Sequence, residues 1–248
     1  LLAARAALPA GAGSAGAESF DFLLFDANAR PVGMGGAYVS LAADANALLY
    51  NPAGLANVRQ SEATFMHNQY IETVNQEYLA FASEKGWGLN LNYLNFGDIP
   101  RTTVSNPLGT GSTAGMSDLA IGGGYGAALT SQLSAGAGLK LVQEHIAGYS
   151  ALGFAVDLGA LWMPNKRWVA GYSLANWGPN VRFQTKREWM PIIQRLGGSY
   201  HFDFKGWPSI IAVALLKEKH ENVKVAVGAE WTLFKRLAIR MGFSQRND

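Results

Sequence analysis

The sequence predicts an all-β transmembrane barrel of about eleven antiparallel strands, with an N-terminal segment of short helices and loops folded inside it as a plug. Three observations carry this prediction: a period of two in hydrophobicity sustained from residue 61 to residue 244, joints that alternate between tight turns and longer links, and tryptophans sorted to one end of one face. Composition agrees. The 248 residues are 49% hydrophobic but only 15% charged, with 29 Gly, seven Trp and no Cys, against about a quarter charged in soluble domains. So much apolar and aromatic content excludes disorder. The missing Cys excludes a disulfide scaffold and a Cys-based zinc module, and a net charge of +2 leaves no basic stripe for nucleic acid.

Residues 1–17 are small and apolar with one charge, Arg5, and end in Ala15-Gly16-Ala17. This small-x-small pattern is expected to be the remnant of a secretory signal peptide, with the mature chain starting near Glu18. Residues 18–59 do not alternate and are dense in turn and cap signals. Gly33, Gly35 and Gly36 allow tight or left-handed backbone. Asp44 and Asn46 stand where they can cap a short helical turn before Leu48 and Leu49. Asn51-Pro52 is a helix start, with Asn as N-cap and Pro at the first helical position.

From residue 60 onward the chain reads as the barrel, with strands over 61–71, 76–84, 87–96, 118–130, 133–146, 152–163, 168–177, 191–204, 207–217, 223–233 and 237–244. In the sixth, Leu152, Phe154, Val156, Leu158 and Trp162 alternate with Gly153, Ala155, Asp157 and Gly159. A period of two places these sets on opposite faces. One face is bulky and apolar. The other is Gly, Ala and Ser with too few charges to be a solvated exterior, so the bulky face is assigned to lipid and the small one to the lumen. Backbone groups must all be paired within hydrocarbon, which requires a barrel. No apolar run reaches the ~20 residues of a spanning helix.

The joints at 85–86, 131–132, 164–167, 205–206 and 234–236 are tight, whereas 97–117 and 178–190 are long. That is the habit of bacterial outer-membrane barrels, with short periplasmic turns and longer outer loops. Trp87, Trp162, Trp168, Trp207 and Trp231 flank tight turns on the lipid phase and are expected to form an aromatic girdle, with Trp177 and Trp189 at the opposite rim. Eleven strands is an odd count and the chain ends on polar Asp248, whereas single-chain bacterial barrels close with an even number. The expectation is a C-terminally truncated barrel lacking about three strands, with an open seam between its first and last strands.

The order Arg30, Gly33-Met34-Gly35-Gly36-Ala37, Asp44-Ala45-Asn46-Ala47 and Tyr50-Asn51-Pro52-Ala53-Gly54-Leu55 resembles the N-terminal hatch of the FadL-type outer-membrane superfamily, and within it the PorV/PorQ-like branch. The resemblance covers roughly residues 26–56, beyond which the chain is similar only as a barrel. It implies a 14-stranded barrel with the hatch in its lumen, here with shorter outer loops than the larger members carry.

Other signals point elsewhere only weakly. The glycines of 122–126 follow strand phase, with no helix or Lys behind them to make a phosphate loop. His67, His145, His201 and His220 are scattered, so neither a metal site nor a cofactor is expected. His145 and Ser150 flank one outer joint without a carboxylate partner, so no catalytic residue is assigned and the chain is expected not to be an enzyme. Lys140, Glu144, Asp157, Arg195, His201, Asp203, Lys224, Glu230 and Arg240 fall on the lumen face with both signs of charge and are expected to form a ladder of salt bridges holding the plug, the alternative being a permeation path. The expected partners are outer-membrane lipid and no nucleic acid. Three functions stay open: passage of a hydrophobic or amphipathic small molecule across the outer membrane, docking of exported proteins as a PorV/PorQ-like component of a type IX secretion system, and a structural barrel without cargo.

Overall fold

A computed structural model describes residues 19–70, 73–183, 186–219, 221–234 and 236–245 of the chain. The expected signal peptide and His220 lie outside these residues. The strands are β1 (Glu62–Gln69), β2 (Asn75–Ala82), β3 (Trp87–Pro100), β4 (Thr113–Ala128), β5 (Leu133–Ile146), β6 (Tyr149–Trp162), β7 (Trp168–Trp177), β8 (Val181–Phe183), β9 (Lys186–Glu188), β10 (Ile193–Phe204), β11 (Trp207–Glu218), β12 (Lys224–Leu233) and β13 (Leu237–Ser244). Eleven of them form one sheet in the order β1-β2-β3-β4-β5-β6-β7-β10-β11-β12-β13, while β8 and β9 make a separate hairpin. Every neighbouring pair in the large sheet is antiparallel.

All eleven expected strands are present, and two loops differ. The link read as 97–117 shortens to 101–112 because β3 and β4 keep pairing, through Asp98↔Gly115, Ile99↔Ala114 and Pro100↔Thr113, beyond a register shift at Asn95/Asp98. Gly97, at φ +71, lets the strand bulge there and continue. The link 178–190 holds the β8–β9 hairpin, three residues to a strand.

The two faces are those of the sequence pattern. On β5 and β6, Leu139, Leu141, Leu152 and Phe154 are exposed while Lys140, Val142, Ala155 and Asp157 are buried, with Leu152 at 71% and Lys140 at 7%. That inverts the arrangement of a water-soluble sheet. No helix among the described residues is long and apolar enough to cross a membrane.

The buried side of the sheet is covered by the chain's own N-terminal segment, residues 20–58. It contains a 3₁₀ turn (Asp21–Leu24), α1 (Ala29–Gly33), α2 (Ala47–Tyr50) and a second 3₁₀ turn (Pro52–Asn57). This segment reaches both edge strands. On β1, Glu62 Oε1 accepts from the Ala45 amide at 2.6 Å, and Thr64 Oγ1 donates to Asn28 Oδ1 at 3.2 Å. On β13, Arg240 packs on Gly33, and the Gly35 backbone lies against Gly242. Laid flat, eleven strands would span roughly 48 Å, whereas a compact piece of this length is about 20 Å across. The sheet must therefore curl around the segment. Among the described residues β1 and β13 do not pair with each other, so the curl leaves an unladdered seam there, as the sequence predicted.

Candidate functional site

Cross-strand register explains how the segment seats so closely. Gly126, Gly136 and Gly159 stand side by side on β4, β5 and β6, and the Pro52–Asn57 turn rests on them. A Cβ at Gly136 would lie 2.5 Å from the Ala53 nitrogen, and one at Gly126 would lie 2.7 Å from the Ala56 nitrogen. A second row, Gly88, Gly124 and Gly138, receives the side chains of Leu48 and Leu55. Gly171 and Gly197, also paired, sit under Val39, and the pair Gly228 and Gly242 sits under Met34 and Gly35. These four glycine groups are thus sockets for successive stretches of the N-terminal motif, whereas Gly122 lies against Asn90 and Gly153 against Val181.

Within the segment, Asn51 is the pivot. It is fully buried, and its side-chain oxygen accepts from the Ala53 amide at 3.2 Å, as expected of an N-cap with Pro52 at the first position. Its Nδ2 donates to Val39 O at 2.9 Å and to Ala160 O of β6 at 3.1 Å, tying turn, segment and wall through one side chain. Gly54 has no room for a Cβ against the Ala42 carbonyl. Gly35 and Gly36, at φ +64 and +80, make the left-handed turn after α1. Asn46 stands at the N-cap of α2 without a side-chain cap bond; Asp44 Oδ1 instead accepts from the Asn46 amide at 3.0 Å. Of the two capping residues the sequence offered, Asp44 closes the turn and Asn46 does not.

The charged groups divide into separate clusters. Arg30 donates to Glu230 through Nε at 3.0 Å and Nη2 at 3.1 Å, and Arg240 Nε donates to the same carboxylate at 2.5 Å. Arg30 also pairs with Asp44 at 3.4 Å and bonds Tyr38 Oη, which in turn donates to Asp44. This knot holds α1 to β12 and β13. Burial, with the Asp44 carboxylate adding to it, drives the Tyr38 phenol well above its ordinary pKa. Burial and Asp26 do the same to Tyr50, whose Oη donates to Asp26 at 2.8 Å. The two rings meet edge to face at 5.2 Å, and Arg195 lies over Tyr50 at 5.6 Å.

Glu144 binds the segment where it enters, its Oε2 accepting from the Phe20 amide at 2.5 Å. Lys140 and Asp157 pair with each other at 2.8 Å instead of with the segment, joined by Asn176, which takes a bond from Lys140 Nζ at 2.7 Å. Lys224 pairs with Glu218 at 2.9 Å near the strand ends, and Asp203 is exposed beside the 205–206 turn. The nine ionisable groups are therefore not one ladder: Glu230, Arg240, Glu144 and Arg195 contact the segment, while Lys140, Asp157 and Lys224 brace the wall. Trp87, Trp162 and Trp168 are exposed on the bulky face, Trp207 and Trp231 are half-buried, and Trp168 joins Tyr200 at 4.6 Å in an aromatic patch by the tight turns. His145 Nδ1 and Ser150 Oγ lie 2.9 Å apart on an exposed joint.

Sequence reasoning missed Tyr38, Tyr50, Asp118 and Asn176 as interior polar groups. Below the segment, at the tight-turn end, lies a cavity of about 1130 Å³ whose walls include Arg30, Asn57, Arg59 and Glu62.

Comparison with solved structures finds the same architecture in the toluene transporter TodX of Pseudomonas putida, at a TM-score of 0.57 and 13% identity over 87% of this chain and 82% of that one. The likeness is one of fold. Among curated proteins, two UPF0164 proteins of Treponema pallidum (strain Nichols) are similar: one is 30% identical over 135 residues, the other 29% over 150. These stretches cover 52% and 55% of this chain but 42% and 36% of the relatives, so the match spans less than half the length of either. The model of the uncharacterised protein family UPF0164 matches residues 3–142, and the chain belongs to that family.

Proposed function

We propose that this protein is an outer-membrane barrel that passes a hydrophobic or amphipathic compound across the membrane, with residues 20–58 acting as its hatch. The bulky face lies in lipid, the tight turns point to the periplasm, and the longer links face outward. The observation that carries the proposal is the seating of the Pro52–Asn57 turn on a bed of backbone, held to β6 by the single Asn51 side chain and roofing the cavity on the turn side. A glycine bed gives close contact with no interlocking side chains, so the turn can slide or lift without repacking the wall. Passage of this kind needs no chemical step, and none is assigned.

A second function draws on a different feature. The loop 101–112 presents Val104 and Leu108, both fully exposed, and such a loop suits a PorV/PorQ-like barrel that docks exported proteins without carrying cargo itself. Uptake of a fluorescent long-chain fatty acid into proteoliposomes separates the two. Uptake above leak with the wild type, altered in Asn51→Ala, supports passage. Leak-level uptake in both refutes it and leaves docking or a purely structural barrel.

A further inference from the structure

The turn between β6 and β7 carries a feature that passage does not use. Lys166 and Arg167 are adjacent and exposed, and neither joins an ion pair among the described residues. The turn that presents them is fixed, because Asn165 Oδ1 accepts from the Arg167 and Trp168 amides at 2.8 and 3.1 Å. The Arg167 carbonyl in turn accepts from the His201 amide at 2.8 Å. With Trp168 and Tyr200 these residues line an open pocket of about 500 Å³. Asp203 is the acid in the adjoining pocket, so two cations stand against one carboxylate.

Above the aromatic pair the bulky face has a notch. Ala170 pairs with Gly198, between the row Trp168–Tyr200 and the row Tyr172–Leu196. A Cβ at Gly198 would meet only the Val169 carbonyl, at 3.6 Å, so the outward space there is open. The flanking rows are four residues apart along each strand, about 13 Å, wide enough for an acyl chain. Arg167 and Ala170 are three residues apart, about 10 Å along the strand.

We propose that this turn and notch bind one anionic glycerophospholipid, its phosphate against Lys166 and Arg167 and an acyl chain in the Ala170–Gly198 notch. The proposal rests on the bulky face lying in lipid. Charge complementarity selects the occupant: two unpaired cations at headgroup level attract phosphate, and an aromatic pair beside them suits the membrane interface.

The test is native mass spectrometry of the delipidated full chain in detergent, offered phosphatidylglycerol and phosphatidylcholine, with inorganic phosphate as competitor. The wild type is expected to retain phosphatidylglycerol roughly 30-fold better, as two interfacial cations imply. Lys166→Gln/Arg167→Gln is expected to erase that preference and leave phosphatidylcholine binding unchanged. Gly198→Leu, which fills open space, is expected to weaken both lipids severalfold. Equal retention of the two lipids by the wild type, or a preference surviving in the double variant, overturns the headgroup site. Unchanged retention in Gly198→Leu overturns the acyl seat, and displacement by inorganic phosphate alone reassigns the cations to a free anion. Insertion of the wild type into phosphatidylcholine vesicles is measured in parallel. Failure to insert sinks the membrane assignment itself, whereas insertion without lipid preference sinks only this site.

Discussion

Placing one methyl group on the glycine bed is the sharpest perturbation available. In Gly136→Ala the new Cβ would stand 2.5 Å from the Ala53 nitrogen and closer still to the Pro52 carbonyl group. Comfortable contacts begin near 3.5 Å, so the Pro52–Asn57 turn must retreat by about 1 Å. The neighbours are backbone atoms and cannot rotate aside, so overpacking costs about 1–3 kcal/mol. A retreat of that size also stretches the bond from Asn51 to Ala160 O, now 3.1 Å, at a further cost of about 1 kcal/mol. A total of about 2–4 kcal/mol raises the lifted population of the turn by roughly 30- to 1,000-fold, at tenfold per 1.4 kcal/mol. Hydrogen exchange of the Gly54 amide, which donates to Asn51 O, reads that population, and planar-bilayer conductance reads any opening. Gly198→Ala is the control, with no contact tighter than 3.6 Å. Equal exchange and conductance in Gly136→Ala and Gly198→Ala would show that the segment does not depend on its glycine bed, and the hatch mechanism would fall with it.

Other expected outcomes are as direct. Asn51→Ala leaves two buried carbonyls and one amide without their partner and is expected to lower unfolding stability in detergent by about 2–4 kcal/mol, while Asn51→Asp keeps the cap but loses both donors. Glu230→Gln leaves Arg240 without its carboxylate and Arg30 with Asp44 as its remaining one, and should cost about 2–4 kcal/mol, below the full buried-pair figure because those side chains keep 31% and 27% exposure; Lys140→Met/Asp157→Leu, replacing both members of the β5–β6 pair, should cost less than Lys140→Met alone. Tyr38 and Tyr50 have folded pKa values raised above the unfolded one, so their contribution is intact below pH about 10 and declines above it as the unfolded tyrosines ionise. The melting midpoint is therefore expected to hold up to that pH and fall beyond it. A phenolate absorbance titration that counts all nine tyrosines ionising while the fold persists would contradict this.

The strands were legible because each carries its own period of two, with most bulky apolar residues on one face and small residues on the other, and β6 and β12 show it without help from neighbours. Interior contacts follow a rule in two dimensions, across strands, and a linear pattern conceals it. Gly126, Gly136 and Gly159 each read alone as one more small residue on the lumen face. What joins them is the centre of each turn: Gly126 and Gly136 pair about Ser131, half a residue off the centre of a 131–132 turn, and Gly136 and Gly159 pair about 147–148, inside the longer link 147–151 left by the sequence pattern. A one-residue slip in either register sets each glycine opposite a residue of the other face, so folding the chain about its turns as read does not assemble the row. The partners of the charged groups had no such signal. Arg30 lies 200 positions from Glu230, and Lys140 could have faced the segment as well as Asp157.

What decides between those partners is depth. Lys140 and Asp157 are 8% and 4% exposed at the side chain, where an isolated charge would be costly. They must neutralise each other at once, within the wall, whether or not the segment is present. Arg30, Asp44 and Arg240 keep 31%, 18% and 27% exposure around a Glu230 at 7%, so water can take up much of their charge if the knot opens. The deep pair therefore suits a permanent brace and the shallow knot suits a latch. The same distinction makes a prediction: salt screens exposed pairs far more than buried ones. Raising ionic strength from 0.05 to about 1 M should speed exchange at the Val32–Gly35 amides of the α1 end while leaving the β5–β6 ladder unchanged. Equal acceleration at both places would mean that the Arg30 knot is no more releasable than the wall, and the segment would then be a fixed filling.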